Sequence, residues 1–215
     1  MSAAAGEVVV VETGVANLAS VESALRRLGA TPRRTRSPGD VESARAVVLP
    51  GVGAFAAAMA ALRAHGLVEP LRARVEAGGA TLAVCLGMQL LGEGSEEAPG
   101  VEGVGAFPGV AARFPEAVRA PLLGWSRIEP QGPCQLLEPA FVYFAHSYRF
   151  TSPPPGWAWA KAEHAGPFVA ALERGSALAC QFHPELSSAA GLSLLGRWLR
   201  RAGVGPSLEA PPCPR

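Results

Sequence analysis

Apolar positions along the first half of the chain follow two alternating rhythms. Residues 8–11 are four consecutive valines, a run too short for a helix and typical of a strand covered on both faces. Leu18, Val21, Leu25 and Leu28 then recur at close to helical spacing, with Asn17 placed to cap the start and Gly29 to end it. Residues 46–49 form a second apolar run, stopped by Pro50 and Gly51, after which Phe55, Met59 and Leu62 resume the helical rhythm. Another helix follows Pro70. Residues 81–84 make a third buried strand that runs straight into the helix-forming segment 86–91, with Cys85 at the junction. Short apolar runs alternating with helical ones predict βαβ units around a buried parallel sheet.

Between residues 101 and 178 the texture changes to short alternating runs broken by Pro and Gly, which predicts antiparallel strands and hence a mixed sheet. A last helix is expected over residues 188–202, with Leu192, Leu195, Trp198 and Leu199 inward. The Pro-rich residues 204–215 are expected to be a disordered tail. Nothing resembling a repeat or a linker interrupts the rest, so one domain over residues 1–203 is expected: an α/β fold with a mixed, mostly parallel sheet flanked by helices.

With 49% hydrophobic and 17% charged residues the chain has ample material for a core. The net charge is +1 and the basic residues are scattered apart from Arg33, Arg34 and Arg36, which argues against a nucleic-acid partner. That arginine cluster reads as a solvated face. No apolar run approaches the ~20 residues that span a bilayer, and residues 1–6 lack the basic start of a secretory signal, so a cytoplasmic protein without membrane attachment is expected. Cys85, Cys134, Cys180 and Cys213 are far apart with no CxxC pairing, which favours neither a disulfide framework nor a zinc site. No metal and no cofactor are expected.

The chemistry concentrates in three places. Ala83-Val84-Cys85-Leu86-Gly87 ends a strand and opens a helix, the small-x-nucleophile-x-Gly form of a nucleophile elbow. The helix N-terminus points backbone N–H groups at the sulfur, which favours nucleophilic attack. Taken alone, Cys85 reads equally well as a small buried residue. Gln181-Phe182-His183-Pro184-Glu185, placed at a strand end, adds an imidazole and a carboxylate two residues apart that can project to one side. Thiol, imidazole and orienting carboxylate are the parts of a Cys-His-acid triad. Pro50-Gly51-Val52-Gly53 supplies two glycines that let backbone N–H groups turn toward a common point and form an oxyanion hole. His65, His164, Trp157, Trp159 and the three other cysteines read as structural.

Four blocks together, Leu49-Pro50-Gly51-Val52-Gly53-Ala54-Phe55, Cys85-Leu86-Gly87-Met88-Gln89-Leu90-Leu91, Tyr143-Phe144-Ala145-His146-Ser147-Tyr148 and Gln181-Phe182-His183-Pro184-Glu185, resemble the glutaminase subunits of imidazole glycerol phosphate synthases, a branch of the class I glutamine amidotransferase family. The likeness runs from about residue 8 to 201. It implies a flavodoxin-like fold and hydrolysis of glutamine to glutamate and ammonia, with Cys85, His183 and Glu185 as triad and a γ-glutamyl thioester as intermediate. It further implies backbone N–H groups of Val52 and Leu86 as the oxyanion hole, and Gly51, Gln89, His146, Ser147 and Tyr148 as substrate-binding positions. The implied partner is a cyclase subunit with a (β/α)8 barrel, forming a heterodimer that takes the ammonia into histidine synthesis. The chain departs from the family pattern at Glu12, Thr13 and Ala16 after the first strand, at Ala83 in the elbow, at Ser126 where Asn is usual, and at Leu186 where a Lys often follows the triad Glu. Two rivals are a different class I glutaminase, such as the one serving pyridoxal phosphate synthesis, and a non-catalytic binding subunit of the same fold. The Pro50 to Phe55 loop and the His146-Ser147-Tyr148 block speak against the first, and the intact triad against the second.

Overall fold

The computed structural model describes residues 6–14 and 18–204. The expected cap at Asn17, the departure at Ala16, Cys213 and the Pro-rich tail from residue 205 lie outside the described residues. In chain order the elements begin with β1 (Glu7–Val11), α1 (Leu18–Arg27), β2 (Thr31–Thr35), α2 (Pro38–Ser43), β3 (Val47–Gly51), α3 (Phe55–Ala64), α4 (Val68–Glu76), β4 (Thr81–Cys85) and α5 (Leu86–Leu91). They continue with β5 (Gly94–Ser95), β6 (Val110–Arg113), β7 (Leu122–Gln131), β8 (Ala140–His146), β9 (Tyr148–Arg149), β10 (Ala158–Glu163), β11 (Pro167–Arg174), β12 (Ala177–Cys180) and α6 (Ser188–Arg201).

Nine strands form one mixed sheet in the order β2-β1-β3-β4-β12-β11-β10-β7-β8. The first five run parallel, and the last four turn antiparallel. β5, β6 and β9 make a small second sheet. Strand alternation divides each core strand between the two faces. Val8 and Val10 join Val48, Leu82 and Val84 beneath Val21 and Leu25 of α1 and Leu195 and Trp198 of α6. Val9 and Val11 join Val47, Leu49 and Ala83 beneath Phe55, Met59 and Leu62 of α3 and Leu71 and Val75 of α4. A valine run is required here because both faces are covered, and burying each side chain stabilises the fold by roughly 1.5–3 kcal/mol.

Several elements differ from the sequence reading for identifiable reasons. Pro50 and Gly51 do not stop the strand: they extend β3, pairing with Val84 and Cys85 of β4. Proline is tolerated because β1 pairs with β3 only at Val47 and Val48, leaving no ladder partner for position 50 on that side. α4 begins two residues before Pro70, which sits in the first turn where an N–H would have no helical partner. Arg33 and Arg34 are exposed as expected, and they lie on β2, an edge strand. Arg33 pairs with Glu7 and Asp40, and Arg34 pairs with the buried Glu22 of α1. In α6 Leu194 takes the fully buried position and Leu192 a half-buried one. Trp157 lies just before β10, so the two tryptophans do not alternate on one strand. No helix among the described residues is long and apolar enough to cross a membrane.

Candidate active site

The site lies at the carboxyl ends of the parallel strands, the end of such sheets at which ligands bind. Cys85 occupies a strained backbone, φ 53° and ψ −110°, between β4 and α5, a region that non-glycine residues enter only when the surroundings impose it. The imposition comes from β3. A Cβ on Gly87 would stand 2.0 Å from the Leu49 carbonyl oxygen, and one on Gly51 would stand 2.7 Å from the Gly87 nitrogen. Both glycines are therefore demanded by the close approach of β3 to the elbow, which packs the two loops into one wall. Ala83 is fully buried and aligned with Leu49 and Ala179, so its methyl group is accommodated between the neighbouring strands.

His183 and Glu185 come together, though not by strand alternation. β12 ends at Cys180, and Pro184–Leu186 form a single 3-10 turn with His183 at its N-cap. The turn brings His183 Nδ1 to 2.8 Å from Glu185 Oε1, with both side chains almost fully buried. Burial disfavours the imidazolium, but hydrogen bonds and charge from Cys85 and Glu185 outweigh it and raise His183 to about 10. The ring is thus held protonated between sulfur and carboxylate.

A cavity of about 250 Å³ opens beside the sulfur, lined by Val52, Cys85, Leu86, Gln89, His146, Ser147 and Tyr148. Its size suits a small polar metabolite rather than a drug-sized ligand. Gly51 lies behind this wall and lines a neighbouring cavity with Pro50, Tyr143, His183 and Glu185. The Tyr148 carbonyl accepts from Gln89 Nε2 at 3.0 Å and from His146 Nδ1 at 2.9 Å, fixing both side chains. Burial drives His146 down to about 4, so it is neutral, and its Nε2 has no partner among the described residues. Glu97 also lines the cavity and accepts from the Phe55 backbone N–H at 3.2 Å. The sequence reading missed Glu97 because no motif spacing ties it to the site: the fold brings it there through the small second sheet.

His65 caps the C-terminal end of α3, and His164 packs edge-on against Phe114 with its ring near the Arg119 carbonyl. Neither lines the cavity. The two strands β7 and β8 instead present an apolar face beside it: Leu123, Trp125 and Phe141 are 60%, 52% and 62% exposed. Their cross-strand register, Leu123 with Ala145 and Trp125 with Tyr143, leads from solvent to the cavity wall.

The model of the family described as "Glutamine amidotransferase class-I" matches residues 9–200. An imidazole glycerol phosphate synthase subunit HisH from Desulfitobacterium hafniense is 40% identical over 197 residues, covering 88% of this chain and 93% of that protein. The corresponding subunit of Deinococcus radiodurans is 41% identical over 203 residues, covering 92% and 94%. The chain belongs to the HisH family of class I glutamine amidotransferases. Among further members, the chloroplastic imidazole glycerol phosphate synthase hisHF of Arabidopsis thaliana is 37% identical over 199 residues, covering 89% of this chain and 34% of that longer protein. A crystal structure of a glutamine amidotransferase superposes with a TM-score of 0.73 at 24% identity, over 91% of this chain and 99% of that one, which carries the fold alone. Within the HisH pattern this chain has Glu12, whose carboxylate lies 3.2 Å from Arg36, and Leu186, an apolar residue 45% exposed beside the His183–Glu185 pair.

Proposed function

We propose that the chain hydrolyses glutamine to glutamate and ammonia, with Cys85 as nucleophile, His183 as acid–base group and Glu185 as the carboxylate that orients it. The observation that carries this reading is the elbow: a strained Cys85 held at a cavity mouth against a buried, protonated His183–Glu185 pair. The Cys85 sulfur attacks the side-chain amide carbon, and His183 delivers a proton to the departing nitrogen so that ammonia leaves. Water then cleaves the γ-glutamyl thioester, with His183 accepting its proton. Backbone N–H groups of Val52 and Leu86 hold the oxyanion in both steps, an arrangement worth about 3 kcal/mol per donor. Gln89, His146, Ser147 and Tyr148 bind the substrate, and Gly51 keeps the oxyanion loop close. Glu97 is placed to receive the α-ammonium group.

The ammonia passes to a cyclase subunit with a (β/α)8 barrel, which makes imidazole glycerol phosphate. Three observations support this: the likeness to HisH subunits of imidazole glycerol phosphate synthase, the longer plant hisHF protein and the exposed face around Trp125. An apolar face of this kind is expensive to leave in water and marks an association site. Its inner end, Tyr143 and Ala145, lines the cavity that also holds His183, so a docked partner would cover the route by which ammonia leaves. Enclosure matters because free ammonia is protonated in neutral water and loses its nucleophilicity. One amidotransferase domain over residues 1–203, a Pro-rich tail over 204–215 and a cytoplasmic location belong to the same proposal.

Glutamate release by the purified chain, alone and with the cyclase and its nucleotide ligand, tests it. Turnover stimulated by the liganded cyclase is expected, with Cys85→Ala lowering it by about 10⁴-fold or more. Turnover that is high alone and indifferent to the cyclase would assign the chain to another amidotransferase reaction. Activity surviving in Cys85→Ala would end the nucleophile assignment.

A further inference from the structure

Gln181 is wholly buried beside the triad, yet the chemistry above gives it no part. Its backbone N–H donates to the Ala170 carbonyl at 2.8 Å, which anchors the residue where β12 ends. The orientation of its side-chain amide follows from a chain of obligatory partners. A backbone carbonyl can only accept, so the end of Gln89 lying 3.0 Å from the Tyr148 oxygen must be its Nε2. That same Nε2 is 3.1 Å from the side chain of Gln181, which must therefore turn its Oε1 toward Gln89. The remaining Gln181 Nε2 then faces Cys85 Sγ at 3.8 Å. On another side of the sulfur, also at 3.8 Å, is the Ala145 carbonyl, which serves a thiol proton and repels a thiolate.

We propose that Gln181 is a positioning residue whose amide N–H, locked by the relay Tyr148–Gln89–Gln181, holds the Cys85 sulfur in its ionised, attack-ready form against the Ala145 carbonyl. The relay rests on Cys85 being the nucleophile. It gives Gln89 a second duty besides lining the substrate cavity. A merely space-filling glutamine would accept from Gln89 and leave the reactivity of the sulfur unchanged. The titratable groups around the sulfur are His183 with Glu185 behind it, Glu97 and Tyr148 along the same cavity, and neutral His146. None of these is altered by the substitutions below.

The test is alkylation of the purified chain by iodoacetamide across pH 5 to 10, read by mass spectrometry at the Cys85 peptide, with thermal melting as the folding control. The thiolate is the reacting species, so the pH profile reports how the site favours it. In Gln181→Leu and Gln181→Glu the midpoint should move up by about one pH unit, slowing alkylation about tenfold on the acidic side of the profile. Gln89→Met leaves Gln181 in place but unlocks its amide, and should move the midpoint in the same direction by a smaller amount. Should both Gln181 variants fail to fold, Gln89→Met decides alone. Native-like melting with a superimposable profile would overturn the relay while leaving the nucleophile in place. Failure of the wild-type chain to react at Cys85 in preference to Cys134 and Cys180 would overturn both.

Discussion

The elbow and the β7–β8 hairpin stand only a few residues apart at the site and are built on opposite principles. At the elbow, β3 and α5 approach so closely that a single added methyl has nowhere to go. On the hairpin, Leu123, Trp125 and Phe141 have more than half of their surface free. One region holds its atoms tightly in place, and the other leaves large side chains without packing partners inside the chain. Sequence change should therefore register as lost folding in the first region and as lost association in the second.

The sharpest way to break the contrast is Gly87→Ala. Its Cβ would meet the Leu49 carbonyl at 2.0 Å, so β3 or α5 must shift. Urea denaturation should report a loss of about 3 kcal/mol or more, the upper end for overpacked interiors. A neutral result would mean that the elbow is not clamped by β3.

Next in size is a pH effect on His146. The histidine titrates near 6.5 when free and at about 4 in the fold, so the folded state holds it neutral. Its contribution is complete above pH 6.5 and is lost as the pH falls toward 4, amounting to roughly 3 kcal/mol. His183 has the opposite sign: raised to about 10, it contributes fully below pH 6.5 and loses that contribution as the pH climbs through 10. Denaturation from pH 7 down to pH 4, set against His146→Leu, should show a shallower acid decline in the variant. Parallel declines would remove burial of His146 as the cause.

The smallest of the three effects on the isolated chain belongs to Trp125→Ala. Its unfolding free energy should change by no more than about 0.5 kcal/mol. Affinity for the cyclase, measured by titration calorimetry, should instead fall by about 2 kcal/mol, some thirtyfold. A variant that melts early and still docks would reverse the roles assigned to the two regions.

What the sequence disclosed follows the same division. The parallel half was legible because its strands are covered on both faces and so must be apolar runs, and because Gly51, Gly87 and Cys85 sit where backbone geometry leaves few alternatives. β2 was not legible: Thr31 to Thr35 includes a proline and two arginines, a composition that reads as loop. It forms a strand because β1 supplies a ladder and Glu7, Glu22 and Asp40 supply counter-charges. His183 and Glu185 stand out in the sequence, but the geometry of their pairing does not, since Pro184 ends strand alternation and makes a tight turn. Glu97 and the orientation of Gln181 depend on partners 42 and 92 or more positions away, a separation at which periodicity and local spacing carry no information.

The backbone angle at Cys85 sets an evolutionary conflict at one position. Glycine is the residue that adopts φ 53° and ψ −110° without strain, so the most stable protein of this fold would carry glycine where this one carries its thiol. Replacing the cysteine by glycine would relieve backbone strain on the order of 1 kcal/mol. Cysteine at this position is therefore not the residue that folding alone would select.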